Sequence, residues 1–390
     1  MLTTVSVPAF ELNSSFYTTA FGSSSTLEGF SVSVIEPDNS NATSTPYMLP
    51  GYIRTTSMVV CITVMVLGII GNLMVPLVVF RGKDMRNSTN IFLVNLSAAD
   101  LCVLLICAPT VLVEVNSGPQ VWPLGEHMCK AVPFVELTVA HASVLTILAI
   151  SFERYYAICE PLRAGYICTK ARATFLCFLA WVFAAVCTSP MIWVSQYHEM
   201  KMNATLNNEE DMSEAIITVC LMQANSLPTT IFFLSLIFIF FVVPLFILLF
   251  LYLIIIRHLI NDRSTSTAEN YHARARKQVV LMLLTVVFSF FICLAPFKIL
   301  TFYIIFAPNE YVDAIDHDTF YNILYFSRIM FYLNSAVNPI LYNLMSSRFR
   351  LGFLKLCGIR KRTISTRSTV TGTRLSRRTI TSSDQQENFL

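Results

Sequence analysis

Four ionisable residues stand where ions are costly. Asp100, Glu136, Lys298 and Arg328 each lie inside a long apolar run, and Glu114 closely follows another. An isolated charge in such surroundings does not persist, so these groups must pair or line a wet cavity. Asn72, Ser143, Asn334, Ser335 and Asn338 add neutral polar atoms to the same runs. Position sorts the set into two clusters. Glu136, Lys298 and Arg328 fall toward one end of their runs, whereas Asp100 lies deeper. Recognition of a charged group at one end of a bundle is the chemistry this pattern suits. Catalysis is not indicated, because the sequence shows no nucleophile–base set, phosphate-cradling loop or metal-ligand cluster.

The elements that must hold these residues are legible in composition. The chain has 390 residues, is 55% hydrophobic and only 13% charged. A soluble domain would be about a quarter charged. Apolar runs fall at 58–80, 91–113, 131–150, 175–194, 231–256, 279–305 and 320–344. Each is long enough to cross the hydrocarbon layer as a helix. Helices are required because lipid offers the backbone no hydrogen-bond partners. The expected fold is therefore an all-α, seven-transmembrane helix bundle, with a short amphipathic helix after span seven. Segments 1–52, 53–345, 346–357 and 358–390 divide as an outer glycosylated stretch, the bundle, the amphipathic helix and a disordered tail. Residues 1–50 are polar and carry no apolar signal core, so the first span is expected to act as the insertion signal.

Charge orients the chain. Of 27 Lys and Arg, 22 follow spans one, three, five and seven. Basic loops stay cytoplasmic, which puts the N-terminus outside and the C-terminus inside a plasma membrane. The outer face then carries a charge near −12 and the inner face near +15, although the net is only +3. Asn13, Asn41 and Asn203 head glycosylation signals in the outer segments. Asn87 and Asn95 fit the same pattern on the wrong side or within a span, and are expected to stay unmodified. Among 11 cysteines, Cys129 and Cys220 lie in outer, oxidising positions that permit a disulfide over the bundle mouth. Cys357 follows the last span closely enough to be palmitoylated. The tail, 358–390, interleaves Ser and Thr with Arg, which suits both phosphorylation and attraction to anionic membrane lipid. Prolines at 109, 190, 244, 296 and 339 interrupt the spans and can bend them.

Motifs then carry a resemblance. Gly71-Asn72 lies in span one, Leu96-Ser-Ala-Ala-Asp100 in span two and Glu153-Arg154-Tyr155 at the end of span three. Trp181 follows in span four, Pro244 and Tyr252 in span five, Phe290…Cys293-Leu-Ala-Pro296 in span six, and Asn338-Pro-Ile-Leu-Tyr342 in span seven. This ordered set, over about 52–357, resembles the class A, rhodopsin-like G-protein-coupled receptors. Within that class the chain is similar to the peptide receptors grouped with neuromedin U, ghrelin and thyrotropin-releasing-hormone receptors. The segments 52–58, 83–92 and 129–143 look most like the ecdysis-triggering hormone receptors of arthropods.

The resemblance implies roles. Arg154 would meet a heterotrimeric G protein once spans three and six part, with Glu153 and Tyr155 beside it. Leu162 would enter an apolar pocket of that G protein, and Tyr252 and Tyr342 would meet near Arg154 in the active state. Phe290, Asn338 and Pro339 belong to the activation machinery. Asp100, Ser143, Asn334, Ser335 and Asn338 match a site for an allosteric Na+, a hard cation suited to oxygen ligands; a neutral, hydrogen-bonded Asp100 is the alternative. No cofactor is required. The implied ligand is a short amidated peptide hormone ending in Pro-Arg-X-amide. The implied partners are a Gq-type G protein with calcium mobilisation, and arrestin and receptor kinases at the Ser/Thr-rich tail.

Two departures from the family pattern matter. Leu294 replaces the usual Trp, so Phe290 and Phe297 are expected to carry its motion. Arg276 stands where many relatives place an acid, so the resting state of Arg154 must be held otherwise. The outer face is acidic at Glu114, Glu126, Glu199, Glu209, Glu210, Asp211, Glu214 and between 310 and 318. That field favours a basic ligand. The ligand's Arg is expected at Glu114 or Glu136 as a bidentate partner. Lys298 or Arg328 would then face its amidated end, with Phe297 and Thr301 alongside; a structural Glu136–Arg328 salt bridge is the alternative. An opsin would need a lysine in span seven, an amine receptor an Asp at 136, and a transporter internal repeats. The basic inner loops need no nucleic acid, since membrane topology accounts for them.

Overall fold

A computed structural model describes residues 49–82, 85, 87–118, 121–205, 212–222, 226–261, 267–307 and 315–356. Seven long helices among them form the bundle. Spans one to three are Gly51–Arg81, Ser88–Ser117 and Gly125–Cys159. Spans four and five are Lys170–Val194 and Leu227–Asn261. Spans six and seven are Thr267–Phe306 and His317–Met345. Span one packs on both span two and span seven, which closes the ring.

Six of these helices, among the described residues, are long and apolar enough to cross a membrane. His317–Met345 falls short of that apolarity. Its inward face carries Arg328, Asn334, Ser335 and Asn338, all buried, while Ile323, Phe326 and Ile340 are exposed. The bundle has an apolar core like a soluble protein but an apolar outer surface as well. Val59, Leu67, Phe178, Phe250 and Phe288 point outward, as hydrocarbon solvent permits, and polar groups point inward. Span three is the most buried helix, whereas spans one, four and five leave much of their surface open.

Several elements extend beyond their apolar runs. The cytoplasmic loop expected at 257–278 is mostly helix, because spans five and six run on to Asn261 and back to Thr267. A short helix, Pro161–Ile167, follows span three, and Ser347–Leu356 forms the expected amphipathic helix. Phe349 is the buried anchor of the latter, against Tyr342 at 5.9 Å.

The prolines act in three ways. Before Pro109 and Pro244 the helix widens into π turns, Val103–Cys107 and Phe238–Val242. The amides of Ala108 and Val243 reach back five residues, to Val103 and Phe238. A widened turn gives the proline ring room beside the carbonyl it would otherwise strike. At Pro190 the helix breaks and resumes as Met191–Val194. Pro296 and Pro339 sit within continuous helices, as do Pro76 and Pro133.

The loop between spans four and five is a hairpin that the apolar pattern did not reveal. Strands β1, Ser195–Thr205, and β2, Met212–Met222, pair antiparallel with Tyr197 opposite Cys220. Cys220 is bonded to Cys129 of span three, so the permitted disulfide forms. Trp122, fully buried, donates its backbone N–H to the Thr218 carbonyl at 2.7 Å and its indole N–H to the Gly125 carbonyl at 2.9 Å. Gly125 adopts φ 77°, a left-handed conformation that glycine takes without strain.

Candidate functional site

At the mouth, four spans deliver the charged set. Glu114 comes from the last turn of span two, Glu136 from span three, Lys298 from span six and Arg328 from span seven. All four are buried. Arg328 Nη1 donates to Glu114 Oε2 at 2.5 Å, so the carboxylate that Arg328 holds is Glu114. The contact is single rather than a fork. Glu114 Oε1 and the Nε and Nη2 of Arg328 are buried with no hydrogen-bond partner among the described residues. The Tyr325 ring lies 5.8 Å from the guanidinium. Glu136 is 1% exposed and sits within electrostatic reach of Tyr332 and Glu114. Thr301 is less available than expected, because its hydroxyl donates to the Phe297 carbonyl at 2.9 Å.

Beneath the mouth lies an aromatic layer. Phe297 meets Phe331 of span seven edge-on at 6.4 Å. Phe290 meets Phe291 at 5.5 Å, and Phe291 meets Phe241 of the span-five π turn at 5.3 Å. Leu294 is buried on the same helix and brings no ring to the layer.

At mid-bundle, Asn338 Nδ2 donates to Asp100 Oδ2 at 3.0 Å. Asn72 donates to the Ser335 carbonyl at 2.8 Å and the Gly68 carbonyl at 2.9 Å, tying span one to span seven. Ser143, Asn334 and Ser335 are buried as well, with Ser335 in hydrogen-bonding reach of Asp100, and Asn334 Oδ1 has no partner among the described residues. Gly68 and Gly71 permit the close approach: a Cβ on Gly71 would lie 2.7 Å from the Pro339 ring. Trp181 donates to Asn95 at 3.0 Å, and Asn95 to Thr146 at 2.9 Å, which joins spans two, three and four.

At the inner end, Glu153 and Arg154 are buried and bonded to span two. Glu153 Oε1 accepts from Ser88, from Thr89 at 2.9 Å and from Arg154 at 3.2 Å, and Arg154 also donates to Thr89. Thr89 and Glu153 hold Arg154, as the departure at Arg276 required, and Ser88 and Thr89 in turn hold Glu153. No motif marked them, since the signal is only two hydroxyls at a helix start. Tyr155 donates to Glu160 at 3.2 Å, and Glu160 also pairs with Arg163 at 2.8 Å. Tyr252 is buried, 3.4 Å from Ser151, whereas Leu162 is 94% exposed. Tyr342 is buried and its hydroxyl has no partner among the described residues.

The remaining expectations concern modification. Asn203 lies on β1, while Asn13, Asn41 and Cys357 lie outside the described residues, as do Glu209, Glu210, Asp211 and the segment 358–390. Asn87 caps span two by accepting from the Asn90 amide at 2.9 Å.

Comparison with known proteins follows this geometry. Residues 71–342 match the family model described as 7 transmembrane receptor (rhodopsin family). The growth hormone secretagogue receptor type 1 of Mus musculus is 35% identical over 302 residues, covering 76% of this chain and 79% of that receptor. The thyrotropin-releasing hormone receptor of Bos taurus is 30% identical, covering 76% and 77%. The QRFP-like peptide receptor of Branchiostoma floridae is 28% identical, covering 82% of each chain.

Proposed function

The chain belongs to the rhodopsin family of seven-transmembrane receptors, and from that premise we propose that it is the receptor for an amidated peptide hormone. It is a multi-pass membrane receptor and not an enzyme. The single observation that carries the peptide reading is the Glu114–Arg328 pair, buried at the mouth with unfilled bonding positions on both partners. A peptide brings both a cation and amide groups to such a pair. The ligand's arginine goes to Glu136 or Glu114, where a carboxylate can take a guanidinium. Arg328 or Lys298 faces its amidated end, with Phe297 and the neighbourhood of Thr301 alongside. Relatives named for secretagogue, thyrotropin-releasing hormone and QRFP-like peptides support a peptide ligand. The motifs at 52–58, 83–92 and 129–143 favour one of the ecdysis-triggering type, ending in Pro-Arg-X-amide; the secretagogue and thyrotropin-releasing types are the second reading.

The N-terminus is outside and bears glycans on Asn13, Asn41 and Asn203, and the C-terminus is cytoplasmic. Ligand binding is relayed through Phe297 and Phe290 to the inner end. There Arg154 leaves Thr89 and Glu153, Tyr252 and Tyr342 move in, and Leu162 with Tyr155 meets a Gq-type G protein. Arrestin and receptor kinases act on the Ser/Thr-rich tail, and a palmitoyl group on Cys357 holds the amphipathic helix to the membrane. Asp100, Ser143, Asn334, Ser335 and Asn338 fit a Na+ ion. They offer one carboxylate and several neutral oxygens, among them the partnerless Asn334 Oδ1. An ion there would hold spans two, three and seven together and favour the resting state.

The test is intracellular calcium in cells expressing the chain, challenged with amidated peptides ending in Pro-Arg-X-amide and with their free acids. A nanomolar response lost in the free acids supports the reading. Silence across the panel at confirmed surface expression overturns the ligand assignment.

A further inference from the structure

Lys298 is a buried cation with an unusual lack of company. It is 8% exposed, and among the described residues it makes neither an ion pair nor a hydrogen bond. Its nearest aromatic contact is the ring of its own neighbour Phe297, 6.0 Å away, at the outer limit of a cation–π contact. The other buried cations of the bundle are held: Arg328 by Glu114 and Arg154 by Glu153. A desolvated ammonium without a counterion is strongly unfavourable, and a site that keeps one is short of an anion.

A second group points the same way. His141 of span three is 2% exposed and lies within electrostatic reach of Lys298. Its Nδ1 bonds to the Thr188 hydroxyl of span four at 3.0 Å, and its Nε2 is buried without a partner among the described residues. When Thr188 donates to Nδ1, Nε2 carries the proton and is an unused donor. Phe240, in the π turn of span five, stacks flat on the imidazole at 3.9 Å and fixes its plane. An ammonium of span six and, in that tautomer, an imidazole N–H of span three are therefore within electrostatic reach of each other. Among the described residues no carboxylate is bonded to either.

We propose that Lys298 and His141 form an anion-binding subsite in the floor of the ligand cavity, which takes a halide or a carboxylate. The anion is either a free ion or the carboxylate of a ligand's acidic side chain. It receives hydrogen bonds from Lys298 Nζ and His141 Nε2 and ties span six to span three. The subsite rests on the proposed ligand site and refines it, giving Lys298 to an anion and leaving the amidated end to Arg328; a failed salt test leaves the peptide reading standing.

The experiment uses the full-length receptor in lipid–detergent micelles, with thermal unfolding followed in sodium chloride, sodium acetate and sodium HEPES. Sodium is equal throughout, and HEPES is too large for the floor. Wild type is expected to melt about 2–4 °C higher in chloride or acetate than in HEPES, the shift of a ligand that binds only the folded state. Lys298→Met is expected to lose the shift and Lys298→Arg to keep it. His141→Phe keeps a stacked ring, removes the nitrogens, and is expected to shrink the shift should Lys298→Met not fold. A gain in chloride alone identifies a free-halide site; a gain in acetate alone or in both identifies a site open to a ligand carboxylate. Equal melting in all three salts, or an undiminished shift in both Lys298→Met and His141→Phe, overturns the proposal.

Discussion

At the scale of single residues, the decisive contacts are between groups that lipid cannot solvate. Removing one partner of a buried pair leaves the other as an uncompensated charge, at about 3–5 kcal/mol. Glu114→Gln is therefore expected to destabilise the folded receptor by about that amount, through Arg328, and differential scanning of the purified protein measures it. An unchanged melting midpoint would show that Arg328 finds another partner. Gly71 tests packing rather than charge. A methyl group there meets the Pro339 ring at 2.7 Å, so Gly71→Ala should cost about 1–3 kcal/mol. Gly165→Ala, with nothing within 4 Å, is the neutral control, and the two melting curves should separate. The ionisable positions were legible in the sequence because lipid makes a charge conspicuous. Which acid Arg328 takes was not, since Glu114 and Glu136 lie on different helices and only packing brings one of them within 2.5 Å.

At the scale of elements, span three is the axle. Its outer end holds the hairpin through Cys129, and its inner end holds Arg154 against span two. Among the described residues, Arg154 is restrained by the Thr89 hydroxyl and its own neighbour Glu153, and no acid of span six is bonded to it. Thr89→Val is expected to release Arg154 and raise ligand-free signalling several-fold above wild type, measured as second-messenger accumulation at matched surface expression. A variant as quiet as wild type would move the restraint elsewhere. Wild type itself should signal measurably above mock-transfected cells, because among the described residues no opposite charge is bonded to Arg154 from span six; equality with mock cells would refute this. The π turns before Pro109 and Pro244 and the β1–β2 hairpin escaped the apolar pattern for a common reason. Hydropathy reports which residues face lipid, and carries no information on how many residues fill a turn or on pairing in an aqueous loop.

At the scale of the whole molecule, the positive-inside rule implies a charge dipole across the membrane, near −12 outside and +15 inside. An epitope at the N-terminus should therefore bind antibody on intact cells, and one at the C-terminus only after permeabilisation; the reverse pattern would refute the orientation. Endoglycosidase should lower the apparent mass of wild type and leave an Asn13/Asn41/Asn203→Gln triple variant unchanged. Association of a basic peptide should slow as salt is raised, because steering by exposed acids is screened within about 8 Å at physiological ionic strength.

The sequence by itself determined that seven helices cross a membrane and which buried residues cannot be inert. These follow from local chemistry, since a helix of about 20 apolar residues and a charge within it have one solution each in lipid. Tertiary structure alone decided the partners: Arg328 with Glu114, Arg154 with Thr89, and Asn338 with Asp100. Partnership depends on the rotation and depth of helices far apart in the chain, which many packed side chains set together and no single stretch of residues encodes.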